Sequence, residues 1–161
     1  MIGIFARLFS RGEPVLAEAK PRDAIAIATL HAASFRRGWS DGEFERLLLE
    51  RNIVAHRAAM GRALHGFIIS RLAADEAEIL SVAVASARRG RGLARGLLNL
   101  HMRRLAGLGA RAVFLEVDED NEPARRLYAR AGFREVGRRP GYYQHGPDRP
   151  ANALVLRRDL V

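Results

Sequence analysis

A glycine- and arginine-rich stretch of the chain has the composition of a phosphate-binding loop. It runs ASARRGRGLARGLL over residues 85–98 and follows an apolar segment. Gly90 and Gly92 would let backbone N–H groups approach a ligand without a Cβ in the way, and a helix beginning after them would point its positive end there. The stretch lacks the Gly-Lys-Ser/Thr of a Walker A loop and the spacing of a dinucleotide fingerprint. It predicts another phosphate-bearing ligand, unless it is only a helix start with solvated arginines.

Three residues of this loop, Arg89, Gly92 and Ala94, match the acyl-CoA signature Arg/Gln-x-x-Gly-x-Gly/Ala. The stretch thereby resembles the Gcn5-related N-acetyltransferase (GNAT) superfamily. Residues 114–143 resemble the C-terminal half of that superfamily. Their pattern Leu-Glu-Val…Asn…Ala…Leu-Tyr…Gly-Phe is similar to the RimI-like branch, the bacterial N-terminal acetyltransferases of ribosomal protein, and so is HAASFRRGWSDGEFERLL over residues 31–48. The resemblance covers about residues 13–160.

The resemblance implies an acetyl-CoA cosubstrate, bound where a strand ends and the loop begins. In the superfamily the strand's last residues, here Val82, Ala83 and Val84, pair through free backbone groups with pantetheine. A backbone N–H there could also hold the thioester carbonyl as negative charge develops. An ordinary buried strand is the alternative. The residues expected to bind the pyrophosphate are Arg89, Gly90, Arg91, Gly92, Leu93, Ala94 and Arg95.

Acetyl transfer to an amine needs a base, because an α-ammonium group titrates near ~8 and a lysine near ~10.4. Alternation along residues 113–117 places Phe114, Glu116 and Asp118 on one face of a strand. We expect Glu116 to lie amid apolar neighbours, where desolvation would make its carboxylate a stronger base. The resemblance assigns the general base to this glutamate, acting through water. An edge-strand glutamate that faces water is the alternative.

Tyr128 and Asn121 lie two turns apart on a predicted helix, so that both face the same side. The resemblance makes Tyr128 the general acid that protonates the leaving CoA thiolate. A core aromatic residue is the alternative. Asn121 is suited to cap the helix and, by the resemblance, also contacts CoA.

Residues that select the acceptor are expected on predicted loops. Trp39, Tyr142 and Tyr143 lie on such loops, which in RimI-like enzymes line the peptide groove, although packing is the alternative for each. An acidic run beside the proposed base could attract a cationic amine, or could simply favour a helix start. That run consists of Asp118, Glu119, Asp120 and Glu122. The five histidines have no metal-ligand spacing, and we expect no metal.

The elements that must position these residues follow the order βααβββαβαββ. Apolar patterns predict strands over residues 15–19, 53–58, 64–72, 78–84, 111–117, 133–139 and 152–160. Helices are predicted over residues 22–35, after the capping-box pair Ser40 and Glu43, after the loop, and over residues 121–132. Residues 140–150 are predicted to be a loop. The expectation is an α/β GNAT fold, a single mixed sheet of about six to seven strands flanked by about four helices. Residues 13–161 form this one domain, preceded by a loosely ordered leader over residues 1–12.

The amino-acid composition limits which partners and which chemistry the protein could have. The 161 residues include 27 Lys+Arg against 18 Asp+Glu, and Lys20 is the only lysine. Two explanations of this excess are equally good. One is a GC-rich genome, and the other is a polyanionic partner such as RNA, ribosome or a phosphorylated ligand. The absence of cysteine excludes disulfides and thiolate chemistry and fits a reducing cytoplasm. The apolar N-terminal segment is too short to span a bilayer, and we expect no membrane association.

The leading hypothesis is an acetyl-CoA-dependent N-acetyltransferase, acting as a cytoplasmic monomer on the α-amino group of a protein N-terminus. The acceptor implied by the resemblance is a ribosomal protein that begins with alanine. One alternative keeps the fold and acetylates a lysine or a small-molecule amine. Another is an RNA- or ribosome-binding module without catalysis, which rests on the arginine excess alone and lacks the aromatic–basic sheet motif of an RNA reader. No direct nucleic-acid contact is required by the leading hypothesis.

Overall fold

The computed structural model describes residues 12–160. Within that range seven strands form one mixed sheet in the order β1-β2-β3-β4-β5-β7-β6. The strands are β1 (Val15–Glu18), β2 (Ile53–Met60), β3 (Ala63–Ala73), β4 (Glu76–Val84), β5 (Ala112–Asp118), β6 (Arg134–Gln144) and β7 (Pro150–Asp159). The helices are α1 (Ala24–Ser34), α2 (Asp41–Leu49), α3 (Leu93–Gly107) and α4 (Glu122–Arg130). This order confirms the predicted arrangement of elements.

The predicted N-terminal leader, residues 1–12, lies outside the described residues except for Gly12. Along residues 12–160 the helices are too short or too polar to cross a membrane.

The helix starts predicted from side-chain caps are confirmed. Glu43 donates its backbone N–H to the Ser40 hydroxyl over 3.1 Å, and Ser40 donates its own N–H to the Glu43 carboxylate over 2.6 Å. These reciprocal bonds satisfy two donors that the first turn of α2 would otherwise leave free. At α4 the Asn121 side chain accepts the Ala124 N–H over 3.3 Å. The caps fix where α2 and α4 begin, and α4 carries the proposed general acid.

Strands β4 and β5 separate soon after they meet. Their parallel pairing covers Glu76–Glu78 opposite Ala112–Phe114 and goes no further. A bulge at Leu80, where β4 pairs with β3, lies just beyond the last of these pairs. Bulges increase local twist, which turns the end of β4 away from β5. The sheet therefore opens into a V whose arms are residues 79–84 and 115–118, the geometry expected for pantetheine binding.

Two apolar layers cover the sheet. Helices α3 and α4 bury one face, with Leu97, Leu105 and Leu115 among the residues of that cluster. Helices α1 and α2 bury a smaller cluster that includes Ile27, Phe44 and Phe67. The two layers hold the arms of the V between them, so the groove rests on rigid elements rather than on loops alone.

The predicted loop over residues 140–150 is wrong at both ends, because β6 continues to Gln144 and β7 begins at Pro150. Pro140 and Gly141 lie in a break of the β6–β7 register rather than in a turn. The Asn152 side chain accepts the Gly141 N–H over 3.0 Å and replaces the missing strand bond. Proline is tolerated on an edge strand, where its missing N–H costs no ladder bond. Tyr142 and Tyr143 therefore lie on a strand.

Candidate active site

A groove of about 840 Å³ lies at the open end of the V. It is bounded by the end of β4, the glycine–arginine loop, the start of α3 and the face of α4. The residues predicted to bind the cofactor all line it except Arg91: Val82, Ala83, Val84, Arg89, Gly90, Gly92, Leu93, Ala94, Arg95 and Asn121. Residues far apart in sequence thus meet in one cavity large enough for an extended ligand.

The loop presents backbone N–H groups because of its two glycines. Gly90 has φ 74° and Gly92 has φ 79°, a left-handed conformation that side chains rarely adopt. Gly92 is the N-cap of α3, and its carbonyl accepts the Gly96 N–H over 2.9 Å. The free N–H groups of the first turn of α3 point out of the helix end toward the groove, where they suit an anion.

The arginines of the loop have more specific roles than charge alone. Arg89 donates its Nε–H to the Val84 carbonyl over 3.2 Å and so ties the loop to the end of β4. Arg88, which precedes the acyl-CoA signature, also lines the groove. Its guanidinium donates to the Gly12 carbonyl over 3.3 Å and to the Met60 sulfur over 2.9 Å. Arg88 therefore fastens the loop to β2 and to the start of the described chain.

Three further arginines line the groove opposite the loop, namely Arg126, Arg130 and Arg158. Sequence reasoning missed them because the arginine excess made any single arginine uninformative. The spacing of Arg126 and Arg130 was the available signal, since residues four apart share one face of a helix. The groove is thus positively charged on both sides.

Tyr128 is both a core residue and a groove residue. It is 6% exposed, its ring meets that of Phe133 edge to face at 5.7 Å, and it lines the groove. Burial first, and the nearby Tyr143 second, raise the pKa of Tyr128 far above its ordinary value. The hydroxyl is protonated at neutral pH, as an ordinary tyrosine is, and burial makes its loss of a proton to water harder still.

Asn121 is both a helix cap and a residue of the groove. Its side-chain oxygen caps α4, and the residue also lines the groove. A cap at this point fixes the register of α4 and hence the place of Tyr128 two turns later.

Glu116 lies on the second arm of the V, two residues beyond the last pair between β4 and β5. Phe114, Glu116 and Asp118 are half-buried and alternate with buried neighbours, which confirms the predicted shared face. The expectation of apolar surroundings is wrong. The Glu116 carboxylate is 24% exposed and forms an ion pair with Arg139, with 3.1 Å between Nε and Oε1. Its environment is therefore charged.

The residues predicted to select the acceptor separate into two places. Trp39 is half-buried in the α1–α2 cluster, where its ring stacks on His31 at 5.0 Å and its backbone N–H donates to His31 Nδ1 over 3.3 Å. That is a packing position. Tyr142 and Tyr143 lie on the Glu116 side of the sheet instead. Burial, then Tyr142, Asp118 and Glu116, raise the pKa of Tyr143, which places this residue within the electrostatic reach of both carboxylates.

The acidic run is engaged within the protein. His145 Nε2 lies 2.6 Å from Asp118 Oδ2 and 3.6 Å from Asp120 Oδ2. Glu119 accepts the backbone N–H and the amide N–H of Asn152 over 2.8 and 3.2 Å. Asp118, Asp120 and His145 bring three potential ligand atoms within 4.8 Å of one another, and the short His145–Asp118 contact accounts for that closeness. Asp118 and Glu119 therefore build the end of the sheet, whereas Asp120 and Glu122 are largely exposed.

Comparison with known proteins agrees with this arrangement. Residues 24–133 match the model of the acetyltransferase (GNAT) family. The chain is 36% identical to the N-alpha-acetyltransferase RimI of Mycobacterium tuberculosis, over 91% of this chain and 94% of that protein. It is 35% identical to an uncharacterized protein of Mycobacterium leprae, over 90% of this chain but only 40% of the longer relative.

A solved structure shares the fold. The ribosomal-protein-S18-alanine N-acetyltransferase from Escherichia coli superposes with a TM-score of 0.83 at 23% identity, covering 91% of this chain and 94% of that one. The family match, the Mycobacterium tuberculosis relative that aligns over nearly its whole length, and the groove together settle the class of protein. The chain belongs to the GNAT acetyltransferase family and is an acetyl-CoA-dependent N-acetyltransferase.

Proposed function

We propose that this enzyme transfers the acetyl group of acetyl-CoA to the α-amino group of a protein N-terminus, and that its acceptor is a ribosomal protein beginning with alanine. The similarity to a RimI N-alpha-acetyltransferase supports the α-amine. The likeness to an S18-alanine N-acetyltransferase is at the level of the fold and suggests the acceptor to try first.

The observation that carries the proposal is that a proton donor and a proton acceptor both lie near the opening of the V. Tyr128 lines the groove, whereas Glu116 does not and lies on β5 two residues beyond its last pair with β4. Leu115 and Val117 pack in the same cluster as Tyr128, so Glu116, which alternates with them, faces the other side of the sheet. An amine attacking a thioester must lose a proton while the departing sulfur gains one. We propose that the thioester lies in the opening between β4 and β5, where it can reach both groups.

In the proposed mechanism the amine nitrogen attacks the thioester carbon directly, and no acyl-enzyme forms. The amine proton passes through water to Glu116 as the C–N bond forms. A backbone N–H at the free end of β4, within Val82–Val84, holds the carbonyl oxygen as it becomes negative. The C–S bond then breaks, and Tyr128 gives its proton to the thiolate. Proton transfer from Glu116 to Tyr128 through solvent resets the site.

The groove also accounts for binding of the cosubstrate. The pyrophosphate would lie against the N–H groups between Gly90 and Arg95, as in other anion sites at helix starts. Arg126 and Arg130 on α4 would face it from the opposite side. Binding would therefore depend on backbone geometry at one wall and on side-chain charge at the other.

A panel of acceptors tests this proposal. The initial rate of CoA release is measured with an alanine-started peptide, with the same peptide N-blocked and carrying one lysine, and with a polyamine. We expect the free N-terminus to be preferred at least about tenfold, since its amine is more often neutral near pH 7.5. Equal or faster turnover of the blocked lysine peptide or the polyamine would remove the α-amine assignment and leave the acetyltransferase class intact.

A further inference from the structure

Arg139 reaches across a whole strand to touch Glu116. In the sheet Arg139 of β6 lies opposite Ala153 of β7, and Ala153 in turn lies opposite Asp118 of β5. Residues directly opposite each other share a face, so the Arg139 side chain extends over β7 toward β5. The residue beside Arg139 on β7, Ala153, has a small side chain with no exposed surface. Glu116 lies opposite Val155, two residues along β7 from Ala153, so Arg139 crosses the sheet diagonally. Its guanidinium Nε comes to 3.1 Å from Glu116 Oε1.

Two further contacts hold Arg139 where it is. Its guanidinium carbon lies 5.4 Å from the centre of the Tyr142 ring, a cation–π distance. The backbone between these two residues is fixed by the bond from Gly141 to the Asn152 side chain, and Glu119 in turn holds Asn152. The guanidinium thus lies between an aromatic ring and a carboxylate, in a hairpin whose irregular part is itself hydrogen-bonded.

We propose that Arg139 is a positioning residue for Glu116: it holds the carboxylate on the open edge of β5, in the orientation from which it can accept a proton. This inference rests on the proposed role of Glu116 as general base. A charge-assisted contact at this distance restricts the rotamers of both side chains. The base is then better oriented than an unpaired glutamate would be.

Other charged and titratable groups share this part of the sheet. Asp118 and its partner His145 lie beyond Glu116 on the same face, and Tyr143 lies on β6. Arg157 of β7 lies over the Phe114 ring at 5.1 Å. From the segment after α1, Arg36 donates to the Gln144 carbonyl over 2.8 Å. Arg139 is distinguished from them by its ion pair with the Glu116 carboxylate itself.

The test compares kcat and KM for the full chain with an alanine-started peptide. In Arg139→Gln, kcat is expected to fall about tenfold, because the base is present but less well placed. Arg139→Lys keeps the charge and should restore only part of kcat, because a lysine lacks the planar contact with the carboxylate. KM for acetyl-CoA should be unchanged in both variants.

Arg134→Gln is the matched control. Arg134 lies on the same strand and pairs with Asp159 on the surface, so its loss should leave kcat unchanged. If Arg139→Gln fails to fold, Tyr142→Ala provides a second route, because it removes the ring that holds Arg139 and should lower kcat in the same way.

Two outcomes separate this inference from the proposed function. If Glu116→Gln lowers kcat strongly but Arg139→Gln leaves it unchanged, Arg139 has no positioning role and Glu116 remains the base. If Glu116→Gln turns over like the parent enzyme, the assignment of the base itself is wrong, and the inference is overturned with it.

Discussion

Tyr128 lies in the core and also borders the groove, where we propose that it acts as the general acid. Its ring packs with Phe133 in the cluster beneath α3 and α4. A tyrosine hydroxyl is protonated throughout the neutral range, and burial raises the pKa of Tyr128 further. The proposed acid therefore carries its proton before the thiolate leaves.

Tyr128→Phe is therefore expected to lower kcat by about 100-fold, the lower range for loss of a general acid. The ring and its packing remain, so affinity for acetyl-CoA and the melting temperature should change little. Steady-state kinetics and calorimetric titration with CoA check the two parts separately. Turnover equal to that of the parent enzyme would show that solvent protonates the thiolate and that Tyr128 serves packing alone.

At the scale of elements, the junction between the loop and α3 holds the groove in shape. Gly92 has φ 79° and no atom within 4 Å of the place where a Cβ would lie, so conformation rather than space requires glycine there. An L side chain in this conformation costs about 1 kcal/mol or more. Gly92 is the N-cap of α3, so strain at Gly92 would turn the N–H groups in the first turn of α3 away from the ligand.

Gly92→Ala is expected to weaken acetyl-CoA binding about tenfold while kcat at saturation changes little. Gly107→Ala is a suitable control, since Gly107 is the last residue of α3, has open space around it and does not have the left-handed conformation. Thermal shift on addition of CoA measures the difference. Equal shifts in the two variants would mean that the loop conformation does not govern binding.

Helix α3 is also fixed to the sheet by buried polar groups. His101 has no exposed surface, and its Nδ1 lies 2.8 Å from His56 Nδ1 while its Nε2 lies 2.6 Å from the Ser70 hydroxyl. Burial first, and the neighbouring His56 second, lower the pKa of His101 to about 3. Burial also lowers the pKa of His56, although Glu18 opposes that effect. Both rings are therefore neutral in the folded protein.

This pair predicts a loss of stability in mild acid. In the unfolded chain both histidines bind protons below pH ~6.5, whereas in the folded chain they stay neutral to lower pH. The free energy of unfolding therefore keeps its full value above pH ~6.5 and falls as the pH drops toward 3. At pH 5 His101 alone would reduce the free energy of unfolding by about 2 kcal/mol. Urea unfolding at pH 7.5 and pH 5 measures the loss. In His101→Gln the difference between the two pH values should shrink, and an unchanged difference would assign it to other groups.

At the scale of the whole molecule, the excess of arginine has a partial explanation in the groove. Arg126, Arg130 and Arg158 line it, whereas arginines such as Arg134 and Arg138 form ion pairs on the surface. Replacing Arg126 and Arg130 together with glutamine is expected to raise KM for acetyl-CoA severalfold without lowering kcat, because these residues are proposed to face the pyrophosphate and not the thioester. Replacing Arg103 and Arg104 together with glutamine, on the exposed side of α3, removes the same number of charges and controls for net charge. Equal KM values for acetyl-CoA in the two proteins would show that Arg126 and Arg130 do not help to bind it.

The sequence predicted the features that depend on local patterns. The order of strands and helices, the caps at Ser40 and Asn121, and the loop glycines followed from periodicity and turn chemistry. It failed at residues 140–144, since Pro140 and Gly141 signal a turn in isolation but lie in a hydrogen-bonded irregularity of an edge strand. The ion pair of Arg139 with Glu116 could not be predicted from the sequence either, because it depends on the register of β5, β6 and β7 and on the small Ala153 of β7.

The proposal that this enzyme acetylates an N-terminal α-amine is tested with one peptide that begins with alanine and carries an internal lysine, incubated with the enzyme and acetyl-CoA near pH 7.5. Fragmentation by mass spectrometry then locates the acetyl group. We expect a single acetyl group on the N-terminal alanine, and we expect Glu116→Gln to lose it. An acetyl group on the lysine, or no acetylation of the peptide beside turnover of a small amine, would contradict the α-amine assignment.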